Sequence, residues 1–81
     1  MKMMNEKVRL KAKIIDKIEN EEWDELIKMI TQNIDKFLVL NAFYLNQLIE
    51  ILTKIKIDWE RMKDYEKKHY KEMLEIMASK L

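Results

Sequence analysis

Eighty-one residues make at most one domain, and with 38% of them charged but a formal net charge of +1, no bulk field draws the chain toward nucleic acid or an anionic membrane. The absence of cysteine excludes disulfides, thiolate metal sites and cysteine nucleophiles. Glycine and proline are absent too, where average usage would give about ten; glycine phosphate loops and glycine turns are therefore excluded, and an all-α chain is expected.

An α-helix turns about 100° per residue, so the apolar face of each segment has a direction. In the first segment Met4, Val8, Ile14, Ile15 and Ile18 share a face, and Arg9, Lys13 and Lys17 form a basic ridge. In the second, Trp23, Leu26, Ile27, Ile30, Ile34, Phe37 and Leu38 lie opposite Glu25, Lys28, Gln32 and Asp35. On one straight helix these two apolar faces would diverge by roughly 140°, so the chain should break between them. Asn20 is the expected N-cap of the second helix, and Glu21, Glu22 and Asp24 suit its positive end. Helices are placed at about 5–18 and about 21–38.

In the third segment Leu45, Leu48, Leu52, Ile55, Trp59, Met62, Met73, Ile76 and Met77 stay on one face of a single helix over about 42–79, some 55–60 Å long. Glu66 interrupts this stripe and Ile57 falls off it. Asp58 has the chemistry of a new cap, but the phase does not require one. The phases of the second and third helices nearly match, so a corner between them rests on other signals in FLVLNAFYL, residues 37–45. Asn41 suits an N-cap, Leu40 and Leu45 have the spacing of a hydrophobic staple, and Phe43 points off either stripe. Apolar side chains exposed at such a corner need cover from the first helix or from a second subunit. The expected fold is thus one all-α domain, residues 1–81. Its short, medium and long helices form a three-helix antiparallel bundle or helical hairpin, with dimerisation completing the core. A chain this short hides only about 60–65% of the surface its unfolded form exposes.

The opening MKMMNEKVRLKAKIID lacks the uninterrupted apolar core of a signal peptide, and the longest uncharged stretch, residues 37–49, falls short of the roughly 20 residues that span a bilayer. A cytoplasmic location is expected. His69 is the only histidine. Glu66 three residues before it gives half of a bundle di-iron motif, which would need a second copy and inward carboxylates from other helices. The alternative is a half-buried histidine beside a solvated glutamate. Ser79, the only serine, lies ten residues beyond His69 on the same helix, which makes no triad. No enzyme activity, cofactor or metal is expected.

Two partner classes have support. From Trp59 to Met77 the filling of the third helix changes from Leu and Ile to Trp and Met, with Tyr65, His69 and Tyr70 adjoining. Aromatics and methionine are enriched in interface cores. Trp59, Met62, Tyr65, His69, Tyr70, Met73 and Met77 are therefore the candidate protein-binding face, for a second copy or a foreign chain. The alternative is nucleic acid, held by Arg9, Lys13 and Lys17 together with Arg61, Lys67, Lys68 and Lys71, where bases alternate with aromatics but also with Asp64, Glu66 and Glu72.

Residues 18–37, IENEEWDELIKMITQNIDKF, resemble the junction between a short and a second helix in FliT-type flagellar export chaperones, with Glu22, Trp23, Asp24, Glu25 and Leu26 matching an acidic Trp-Asp-Glu-Leu helix start. The resemblance implies a small helical bundle that holds a secretion substrate through helix contacts. The expected function is a small non-enzymatic helical interaction module, whether adaptor, chaperone or inhibitor.

Overall fold

The computed structural model describes residues 5–81. Its α-helices are α1 Glu6–Glu19, α2 Trp23–Gln32, α3 Ile34–Phe37, α4 Ala42–Asp58 and α5 Asp64–Ser79, with a 3-10 turn at Trp59–Arg61. No strand occurs among the described residues. Met4, expected on the face of the first helix, lies outside them.

The helices pack α1 on α2, α2 on α4, α4 on α5, and α5 back on α1. Contacts along each pair give the directions. Lys11 reaches the Ser79 carbonyl while Lys71 reaches that of Glu19, so α1 and α5 run antiparallel. The start of α2 meets the end of α4, through Trp23 on Trp59 and Asp24 on Lys56. Short connections turn the chain back at the other two pairs. The result is an up-down-up-down four-helix ring, with α3 capping the end of α2. One continuous core runs through it, including Leu10, Ile14, Ile18, Leu26, Ile30, Phe37, Leu48, Leu52, Ile55 and Leu74. Each such side chain contributes about 1.5–3 kcal/mol by leaving water.

The expected long helix over 42–79 is corrected. The α-helix ends at Asp58, and the chain passes through the 3-10 turn Trp59–Arg61 to Met62, which is extended at φ −72° and ψ 143°. Glu66 is the cause on the α5 side: its Oε1 accepts the Lys63 N–H at 3.1 Å, half of a capping box, so the residue that interrupted the stripe starts a new helix. Folding back also rotates the apolar face. Leu74 and Ala78 are fully buried, whereas Ile76 is 51% exposed. A straight rod would have left half its length without a neighbour; the hairpin packs α5 against both α4 and α1. The expected three helices of increasing length therefore become four of similar role.

Two further boundaries differ. Asn20 caps the end of α1 rather than the start of α2. Its Nδ2 donates to the Asp16 carbonyl at 3.0 Å, and Glu21 follows with φ 55°. The Glu21 N–H bonds to the Ile18 carbonyl and the Glu22 N–H to that of Lys17, a Schellman motif with glutamate in the left-handed position. The second helix, expected over 21–38, is interrupted at Asn33, whose φ and ψ of −127° and 33° leave the helix. Its Nδ2 donates to the Met29 carbonyl at 3.0 Å, the local bonding by which asparagine competes with helix.

The corner before α4 forms as the sequence indicates. Asn41 Oδ1 accepts from the N–H groups of Phe43 at 3.0 Å and Tyr44 at 3.3 Å, and Leu40 and Leu45 are both buried beside it. The Asn41 N–H in turn donates to the Leu81 carbonyl at 3.3 Å.

Candidate interaction surfaces

The break before α5 divides the expected Trp59–Met77 face. Met62 is buried, and Tyr70 and Met77 are partly buried against the core. Trp59 is half-buried and meets Trp23 edge-to-face at 5.2 Å and 65°. Lys67 Nζ lies 5.2 Å from the Trp59 ring centroid. Tyr65 and His69 are exposed, Met73 is half-buried, and Ile76 continues their ridge along the outside of α5. Lys68, Glu72 and Glu75 flank that ridge, so its apolar surface is narrow.

The cations proposed for nucleic acid do not form one surface. Arg9 and Lys13 border a recess with Lys36, Glu6 and Asn33 at the α1–α3 side. Lys17 is paired with Glu22 at 3.3 Å, and Lys71 with Glu21 at 3.2 Å. Lys67 and Lys68 share a second recess with Glu21 and Asp64. Arg61 stands among acids near the end of α4. Because α1 and α5 are antiparallel, Arg9 and Arg61 sit at opposite ends of the bundle. The Glu66–His69 pair gathers no further ligands: among the described residues no group of three His, Asp or Glu side chains could hold a metal ion. No helix among them is long and apolar enough to cross a membrane.

Two features emerge that the periodicity did not single out. The first is the size of the apolar exposure at the corner. Ile34, Leu38, Val39 and Phe43 are 42%, 62%, 56% and 62% exposed. Ile34 and Leu38 are one helical turn apart, and the Phe43 ring meets Tyr44 edge-on at 5.1 Å. No charged residue occurs between Lys36 and Glu50. The cover expected from the first helix does not reach these four side chains.

The second is a cleft of about 500 Å³ at the opposite end, where α2 begins and α4 ends. Trp23 and Trp59 wall it, Ile57 adjoins them, and Glu21, Glu22, Asp24, Glu25 and Glu60 surround it with Lys56 and Arg61. The acidic run 21–25 was legible as a helix start. That it would face Glu60 was not, because the pairing depends on how α2 and α4 meet.

Comparison with protein-family models, characterised proteins and solved structures gives no significant match for this chain.

Proposed function

We propose that this chain is a small non-enzymatic helical protein–protein interaction module, and that its principal docking surface is the corner formed by Ile34, Leu38, Val39 and Phe43. The observation that supports this reading is the exposure of four large apolar side chains around the corner, three of them (Leu38, Val39 and Phe43) within the uncharged stretch 37–49. Large apolar side chains left in water are a cost that docking removes. The ridge of Tyr65, His69, Met73 and Ile76 is a secondary contact, interrupted by charge. The resemblance of residues 18–37 to FliT-type export chaperones also favours a protein partner. Nucleic acid is disfavoured by the division of the cations between two ends of the bundle and by their pairing with Glu21 and Glu22.

A second copy of the chain is the first partner to test. Sedimentation velocity over a concentration series compares the wild type with a Leu38→Ser, Phe43→Ser double variant; both side chains are exposed, so the core is unaffected. A dimer present in the wild type and lost in the variant makes the corner a self-interface. A monomeric wild type assigns the corner to a different protein. A dimer that survives both substitutions removes the corner as the site of self-association.

A further inference from the structure

We infer that the outer ridge of α5 pairs with the same ridge of a second copy of this chain, the two helices antiparallel, through Tyr65, His69, Glu72 and Ile76. This interface goes beyond the corner and does not depend on it. The four residues are spaced by four, three and four, the period of a two-helix seam. All four are exposed, Tyr65 by 69% and Ile76 by 51%, on the side of α5 opposite the buried Leu74 and Ala78. Although α1 and α4 both pack on α5, neither covers them.

Charge decides what the ridge fits. Glu72 stands on the seam itself, and Lys68 and Glu75 stand together on one flank of it. These three have no ion-pair partner among the described residues, even though Lys68 and Glu72 lie one helical turn apart. A two-fold axis crossing α5 between Tyr70 and Lys71 sets each His69 against the partner's Glu72 and each Tyr65 against the partner's Ile76. The imidazole can then donate an N–H to the facing carboxylate. In an antiparallel pair each flank faces its own copy, so each Lys68 meets the partner's Glu75. Every charge on the ridge thus finds its opposite, twice over. A parallel pair would instead stack Glu72 on the partner's Glu72. Complementarity to its own reversed image is what an isologous dimer requires, and a purely acidic or purely basic partner would answer only half of these charges. The glutamate that breaks the apolar surface for a foreign chain is therefore the residue that a second copy satisfies. With 16 residues α5 is about 24 Å long and offers only four such layers, so the contact is small and the dimer weak.

Exchange of charges tests the pairing. Sedimentation equilibrium of the full chain from about 20 μM to about 1 mM should show a monomer–dimer equilibrium with a dissociation constant on the order of 100 μM. Lys68→Glu or Glu75→Lys alone turns both cross-pairs into like-charge contacts and should weaken the dimer by about tenfold. The two substitutions combined restore attraction with the signs exchanged, and affinity should return to within about twofold of the wild type. Both positions are exposed, and circular dichroism should show the same helix content in all four chains. Leu38→Ser with Phe43→Ser should leave this dimer unchanged, so failure here and failure of the corner reading are separable. Because the chain has no cysteine, introduced thiols report the orientation. An equimolar mixture of Tyr65→Cys and Ile76→Cys chains, mildly oxidised, should form the mixed disulfide in excess over either symmetric one. A monomer across the whole range leaves the ridge to a different chain and overturns the proposal. So does a dimer indifferent to the single charge reversals, a combined variant that fails to recover, or a predominance of symmetric disulfides.

Discussion

Glu21 occupies a position where many helices end in glycine, and in a chain without glycine a side chain must tolerate the left-handed conformation. That geometry costs about 1–2 kcal/mol for an ordinary residue, offset in part by the exposed ion pair to Lys71. Glu21→Gly should raise stability by about 0.5–1 kcal/mol, visible as a melting temperature some degrees higher by circular dichroism. Asn41→Ala should act in the other direction. It removes the acceptor for two N–H groups at the start of α4 and should cost about 1 kcal/mol in a urea titration. Asn41 was legible because capping is local: the cap, the staple and the helix they start lie within a few residues. Asn20 was misassigned for the same reason in reverse. Asparagine suits both helix ends, and only the φ of Glu21 decides between them.

At the scale of elements, the α4–α5 turn divides two readings of the same residues. On a single helix Ile76 belongs to the buried stripe and Leu74 does not; in the hairpin the order is reversed. Leu74→Ala should therefore cost about 2–5 kcal/mol, and Ile76→Ala should stay within about 0.5 kcal/mol, both by chemical denaturation. Equal and large losses at both positions would restore the straight helix. The clues were present in the sequence as exceptions, since Glu66 broke the stripe and Ile57 left it. They were outweighed because phase continues smoothly from Leu45 to Met62, and periodicity carries no information about how far a helix can run before it lacks a neighbour. Asn33 illustrates a similar limit, as its interruption of the second helix leaves the apolar stripe from Trp23 to Phe37 intact.

For the whole molecule, the all-α class followed from the missing glycine and proline, and antiparallel neighbours followed from short connections. What remained hidden was which ends meet. Trp23 and Trp59 are far apart in sequence, and their contact depends on α2 and α4 lying antiparallel in the closed ring. The ring buries a continuous core within one chain, so the unmet demand for cover is local to the corner rather than spread along a long helix. The five ion pairs among the described residues all retain solvent access, and each is worth at most about 1 kcal/mol. Raising salt to about 1 M should shift the melting temperature by only a few degrees, because apolar burial carries the fold. A fall of tens of degrees would place the stability in the surface charges instead.

Docking through the corner is tested most directly by affinity capture from a native lysate, with nuclease present and absent, using the tagged wild type beside the Leu38→Ser, Phe43→Ser variant. A protein recovered in stoichiometric amount, unaffected by nuclease and lost with the variant, is the expected result. Recovery of nucleic acid with co-purifying proteins that vanish on digestion, or equal capture by wild type and variant, would contradict it.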